Sequence, residues 1–255
     1  MPALSIAQES WPIAGSFTIS RGSKTAADVV VVTLEEEGYR GRGECVPYPR
    51  YSETVEGVAA SLEAARARIE AGFSHADVPR LVKPRAAQNA LDCALWDLEA
   101  KRAGKPVWQL ALLQQPRPMT TAYTLSLDTP EAMAKAAAEA SHRPLLKLKL
   151  GREGDVERLR QIRAAAPTSR LIIDANEGWT PGELPQLLKA CAAVGVELVE
   201  QPLPVADDEA LLRITHDVPI CADESAHDRR NLHKLVGKYD AINIKLDKTG
   251  GLTEA

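Results

Sequence analysis

From Thr121 onward the chain repeats one pattern, a short apolar run followed by a helical segment. "TAYTLSL" precedes a helix from Pro130, "LLKLKLG" one from Glu153, and "RLIIDAN" one from Pro181. "ELVEQP" then leads into a helix from Asp207, "PICADES" into one from Asp228, and "AINIKLDK" is the sixth run. Strands alternating with helices in this way call for a parallel sheet with helical crossovers. The strands alone suit either a barrel or an open, doubly wound sheet. The first strand-to-helix turn carries no G-x-G-x-x-G, so nothing favours a dinucleotide fold. The earlier part is organised differently. "SFTISRG", "ADVVVVTLEEEG" and "YRGRGEC" read as short antiparallel strands, with Gly38 and Gly41 as turn punctuation. Helices are expected from Ser52 to Gly72 and from Pro84 to Gly104, where Leu91, Leu95 and Leu98 follow helical spacing. The expected division is an α+β domain over residues 1–118 and a (β/α) domain over 119–255.

The second to sixth strands each end in a charge that the apolar run does not need: Lys149, Asp174, Glu200, Asp223 and Lys245. They follow one another at intervals of 25, 26, 23 and 22 residues, about one strand-helix unit each. In a (β/α)₈ barrel the carboxyl ends of the strands meet on the face where such enzymes build their active sites. Three carboxylates from adjacent strands would converge there between two lysines, a set of hard oxygen ligands suited to Mg²⁺. Taken singly, a strand-end Asp or Glu is more often a helix cap or a solvated loop charge. The register of all three is what outweighs that reading. Lys147 stands two residues before Lys149, so a strand puts both on one face, like charge beside like charge. That repulsion favours loss of a proton from one of them. A lysine of pKa ~10.4 is thereby moved toward the ~7–8 that suits a general base.

Composition narrows the classes. The chain has 255 residues, 45% hydrophobic and 26% charged, with a net charge of −4. No basic cluster with interleaved aromatics suggests nucleic acid, no uncharged run approaches the ~20 apolar residues of a membrane span, and "MPALSIAQESWPIAG" does not read as a signal peptide. The four cysteines, Cys45, Cys93, Cys191 and Cys221, are scattered, as reduced core residues of a cytoplasmic protein would be. His227 and His233 read as helix-surface residues, and Trp96 and Trp108 as core.

The strand-end residues fall within a set of motifs: K-x-K at Lys147–Lys149, D-A-N at Asp174–Asn176, E-Q-P at Glu200–Pro202, A-D-E-S at Ala222–Ser225 and N-I-K-L-D-K-T-G-G at Asn243–Gly251. Together with "PYPRYSET" and "NALDCALWDL", they make the chain resemble the enolase superfamily in its muconate-lactonising subgroup, on the side of the dipeptide epimerases. The resemblance implies an α/β fold, with an N-terminal α+β capping domain followed by a modified TIM (β/α) barrel, here reaching about six strands. It implies one Mg²⁺ per subunit on Asp174, Glu200 and Asp223, with Lys149 and Lys245 as the acid/base pair and Lys147 as its tuner. Asn176 and Glu224 would steady the ligands beside them.

The implied reaction is epimerisation of the C-terminal residue of L-Ala-D/L-Glu-type dipeptides in cell-wall peptide metabolism, by two-lysine 1,1-proton transfer through an enediolate. Substrate choice would lie in the turn "SRGSK", with Lys24 as its cation, and in "PYPRYSE", with Arg50 and Tyr51. The implied partner is a small-molecule dipeptide, with a homo-oligomer left open. N-acylamino acid racemase and muconate cycloisomerase activities share the same residues. A Schiff-base lysine enzyme, or a chain inactive without its seventh and eighth strands, is the alternative outside that chemistry.

Overall fold

A computed structural model describes all 255 residues. It divides into two compact bodies, one of residues 1–12, 26–118 and 244–255, the other of residues 13–25 and 119–243.

Strands β1 (Ala3–Ile19), β2 (Gly22–Glu36) and β3 (Tyr39–Cys45) form a three-stranded sheet in that order. β1 begins seventeen residues before its "SRG" turn, well ahead of the run expected from sequence. β2 and β3 are antiparallel, with Val30 opposite Cys45 and Glu36 opposite Tyr39. In α1 (Val55–Glu70) the Thr54 side chain caps the first turn by accepting from Gly57 N–H, and Val58, Leu62, Ala65 and Ile69 form one buried stripe at helical spacing. A short α2 (Val78–Leu81) leads to α3 (Arg85–Ala103), which ends at Gly104 in the left-handed conformation, the stop anticipated from sequence. α4 (Val107–Leu110) closes this part.

Gly41 is not a turn residue. It lies in mid-strand with Gly43, both buried, on the face of β3 that packs against α3. A Cβ on Gly43 would run into the Ala90 carbonyl, and one on Gly41 into Ala94 O and the Leu98 side chain. The two glycines therefore let helix and sheet approach more closely than any side chain would allow.

The second body holds six parallel strands in sequential order: β4 (Tyr123–Leu125), β5 (Leu145–Lys149), β6 (Arg170–Asp174), β7 (Val196–Glu200), β8 (Ile220–Ala222) and β9 (Ala241–Ile242). Between them run α5 (Pro130–Glu139), α6 (Asp155–Ala165) and α7 (Leu184–Ala193). The two later crossovers, expected as α-helices, are 3₁₀ segments over 205–213 and 229–234. In the first of these Asp208 is drawn inward to Lys238, Tyr239 and Ser225, which holds the segment in a tighter turn. Strand alternation sends Leu146, Leu148, Leu171, Ile173 and Val199 into one core with Met133 and Ala137 of α5, Leu159 and Ile162 of α6, and Leu184 and Leu188 of α7. The opposite face carries Lys147, Lys149, Asp174 and Glu200 together with Ile172 and Leu198. α8 (Leu246–Thr249) belongs to the first body, with Lys245 at its N-cap. It is tied to α3 by Asn89 Nδ2 donating to Asp247 Oδ1 at 2.6 Å, and the segment beyond it by Thr253 Oγ1 donating to Asp92 Oδ1 at 2.6 Å.

The packing of β3 on α3 predicts that Gly43→Ala destabilises the protein by about 2 kcal/mol or more, the usual cost of forcing atoms into a packed core. A urea midpoint unchanged from wild type would contradict this account.

Candidate functional site: a carboxylate triad between two lysines

Lys147 and Lys149 of β5 point away from the leucine core, onto the face that also carries Asp174 of β6 and Glu200 of β7. The ladder sets Lys149 opposite Asp174, and Asp174 opposite Glu200. Asp174 Oδ2 receives Lys149 Nζ at 2.6 Å and Lys147 Nζ at 3.0 Å, while Lys147 also reaches Glu200 Oε2 at 2.6 Å. Phe17, in the 13–25 segment of the same body, lies 5.5 Å from Lys149 Nζ across its ring face. The like charges of the K-x-K strand are thus separated by carboxylates.

The electrostatics of Lys147 and the carboxylates follow from these contacts. Burial pushes the Lys147 ammonium toward losing its proton, but Asp174 and Glu200 outweigh it and hold Lys147 above the ordinary lysine value. Burial also works against ionised Asp174, yet the two lysines hold it well below the usual carboxylate range. Burial and the charges of Asp174 and Asp223 raise Glu200.

Asp223 completes the set. Asp174, Glu200 and Asp223 are 0%, 4% and 1% exposed, and each offers an oxygen within 4.8 Å of the others. Three buried carboxylates outnumber two ammonium groups, and all the donors are hard oxygens. This set fits a divalent cation such as Mg²⁺.

The neighbours hold the ligands in place. Asn176 donates its backbone N–H to Asp174 Oδ1 at 3.0 Å and accepts from Lys149 Nζ at 3.1 Å, while Asn243 Nδ2 donates to Glu200 Oε1 at 2.8 Å. Asn176, Glu177 and Gln201, which follow two of the ligands, have φ of 47°, 63° and 35°, values non-glycine residues seldom adopt. Gly151 and Gly178 interlock behind them, since a Cβ on Gly178 would lie 2.6 Å from Gly151 Cα and one on Gly151 2.5 Å from Ala175 O. Glu224 is directed elsewhere. Its Oε1 accepts from Arg21 Nη2 at 2.7 Å, its Oε2 is buried with no hydrogen-bond partner, and burial followed by the charge of Asp223 raises its pKa.

The second body therefore brings together Lys147, Lys149, Asp174, Asn176, Glu200, Asp223 and Glu224, and it also contains Lys24, on the exposed turn. Lys245, Arg50 and Tyr51 belong to the first body, Lys245 half-buried, Arg50 exposed, and Tyr51 edge-on to Tyr48 at 6.3 Å. Lys149, Asp174 and Glu200 are the last residues of their strands. Asp223 lies one residue past β8, and Lys245 three past β9. Sequence reasoning passed over three residues. Arg21 bridges Glu177 and Glu224 and donates to Asn176 O at 2.7 Å, and Gln201 and Asn243 support the ligands. Each lies inside a quoted motif, which was the only signal available for it.

The comparisons with known proteins agree with this geometry. Residues 1–111 match the mandelate racemase / muconate lactonizing enzyme N-terminal domain, and residues 131–255 the enolase C-terminal domain-like model. The chain belongs to this family. Its members carry the same architecture, an N-terminal capping domain and a C-terminal α/β domain with a parallel sheet. An L-Ala-D/L-Glu epimerase of Escherichia coli is 45% identical over 257 residues, which cover 100% of this chain and 80% of that protein. Among solved structures, an enolase family member from Agrobacterium tumefaciens with homology to dipeptide epimerases, bound to sodium and L-Ala-L-Glu, superposes with a TM-score of 0.96. It is 53% identical, with 100% of this chain and 78% of that one covered. A dipeptide epimerase from Enterococcus faecalis, complexed with Mg and L-Leu-L-Tyr, gives 0.91 at 33% identity, covering 99% and 76%.

The triad predicts that Mg²⁺ stabilises the fold. At a concentration 100 times its dissociation constant it should add about 2.7 kcal/mol, seen as a rise in melting temperature that a chelator reverses. Asp223→Asn should flatten that response.

Proposed function

We propose that the protein is a Mg²⁺-dependent epimerase acting on the C-terminal residue of dipeptides of the L-Ala-D/L-Glu type. The observation that carries this reading is the buried carboxylate triad bordered by Lys147 and Lys149, in a chain similar over its whole length to L-Ala-D/L-Glu epimerase.

Asp174, Glu200 and Asp223 would hold the cation. When bound, Mg²⁺ would balance the carboxylate charge that now pairs with the lysines and stabilise the negative charge that develops on the substrate carboxylate as its α-proton leaves. Lys149 takes or returns the α-proton on one side of the substrate carbon, and Lys245 does so on the other. Inversion needs both, because a single base returns the proton to the side from which it came. Lys147 tunes the charge at Lys149, and Phe17 keeps water from that ammonium. In the loops, Lys24, Arg50 and Tyr51 select the side chain, with Arg21 in the same turn as Lys24 offering a fork-shaped cation suited to a carboxylate. We place the protein in the cytoplasm, in metabolism of cell-wall peptides. Its four cysteines, none of them in a disulfide, suit a reducing compartment, and no helix is long and apolar enough to cross a membrane.

The test is proton NMR of L-Ala-L-Glu in D₂O with Mg²⁺, with and without EDTA. Loss of the glutamate α-proton signal and growth of the diastereomer, both abolished by EDTA, are expected. Exchange confined to N-acetylglutamate in the same assay would move the substrate class to N-acyl amino acids, and borohydride trapping insensitive to EDTA would replace the reading with a Schiff-base enzyme.

The lysine roles predict a stereochemical split. Lys149→Met and Lys245→Met should each lower epimerisation by at least about 10²-fold, while each retains exchange from one epimer only. Equal loss from both epimers, with cation binding intact, would remove the two-base assignment.

A further inference from the structure

Of the three proposed cation ligands, two are held by the sheet itself. Asp174 and Glu200 end adjacent strands and face each other in register. Asp223 lies past the last residue of β8, where the ladder no longer determines its place. Something else must fix it, and beneath it lies a polar cluster that the proposed proton transfers do not use.

Gln201, fully buried next to Glu200, is the centre of that cluster. Its Oε1 accepts from Asp223 N–H at 2.9 Å and Ser225 N–H at 3.0 Å. Its Nε2 faces Leu203 O at 3.0 Å, and Ser225 Oγ and Tyr239 OH at 2.9 Å each. Both hydroxyls also meet Asp208 Oδ2, Ser225 at 2.9 Å and Tyr239 at 3.2 Å, and Asp208 Oδ1 is paired with Lys238 Nζ at 2.7 Å. Asp208 and Lys238 are 4% and 8% exposed.

The chemistry of these groups fixes the orientation of the amide. An ionised carboxylate only accepts. The hydroxyls of Ser225 and Tyr239 also lie 2.9 Å from each other, so at least one turns its hydrogen toward Asp208 while their lone pairs and the Leu203 carbonyl share the two hydrogens of the Gln201 amide. A flipped amide would set its NH₂ against two backbone N–H donors and its oxygen against the Leu203 carbonyl. The amide orientation is thus set by those backbone groups together with the buried Asp208 acting through the hydroxyls, and the amide oxygen in turn holds the backbone of Asp223.

We propose that Gln201 is a positioning residue for the cation site, its amide oriented by the Asp208–Lys238 pair through Ser225 and Tyr239, so that Asp223 is carried at the height of Asp174 and Glu200. This rests on the reading that the triad holds a divalent cation.

The experiment is Mn²⁺ binding to the full chain, followed by electron paramagnetic resonance, alongside melting temperatures measured in chelator. Gln201→Met keeps the volume and removes the amide, and should weaken Mn²⁺ binding by about 10- to 100-fold, the range usual for groups that orient metal ligands. Asp208→Asn, which leaves Gln201 in place but allows the hydroxyls to reverse, should weaken it severalfold and carries the test if Gln201→Met does not fold. Gly43→Ala, in the other body, should lower the melting temperature without changing Mn²⁺ affinity, which separates positioning from general destabilisation. Wild-type Mn²⁺ affinity in folded Gln201→Met and Asp208→Asn would overturn the proposal while leaving the cation reading intact. A wild-type chain that binds no Mn²⁺ would overturn the cation reading, and the proposal with it.

Discussion

Carboxylates repel one another in a protein interior, and a cluster of three in a dry site stands only if positive charge is built in beside it. Here that charge comes from Lys147 and Lys149, whose ammonium groups lie against Asp174 and Glu200. The rest of the site is arranged around this interaction. The helix-facing side of β5 is leucine because the other side is given over to charge, and the loops after β6 and β7 adopt left-handed backbone at Asn176, Glu177 and Gln201 where they turn back over the carboxylates.

The same interaction balances the carboxylate charge from within the protein itself. Two ammonium groups replace most of the charge that a divalent cation would bring, and they come from within the sheet, on the same strand face. Lys149, proposed to move a proton, is therefore also a counter-ion of a ligand. Binding of a cation and release of the lysines from their carboxylates become two descriptions of one redistribution of charge.

Much of this could be read from sequence because a parallel strand-helix repeat turns linear spacing into spatial register. Intervals of 23 to 26 residues placed Lys149, Asp174, Glu200 and Asp223 at successive strand ends, and two-residue alternation put Lys147 on the face of Lys149. What lay across the strand boundary was not legible. The lysine pair read as bare repulsion because nothing local to "LLKLKLG" reveals that Asp174 Oδ2 stands within reach of both ammonium groups. Gln201 was one letter in E-Q-P, and its partners Ser225 and Tyr239 lie 24 and 38 residues further on. Gly41 misled for a related reason. A glycine beside a turn and a glycine under a helix look the same until the helix is in place.

The interlocked glycines behind the triad have a consequence for how such a site diversifies. Gly151 and Gly178 occupy one shared volume, so the loops after β5 and β6 behave as a single rivet. A methyl group added to either is blocked by the other's backbone, and no single substitution there relieves the conflict. New selectivity has to be found in segments free of that lock, such as the exposed hairpin turn with Arg21 and Lys24. The floor of the proposed cation site is thereby kept apart from the turn proposed to meet the substrate side chain.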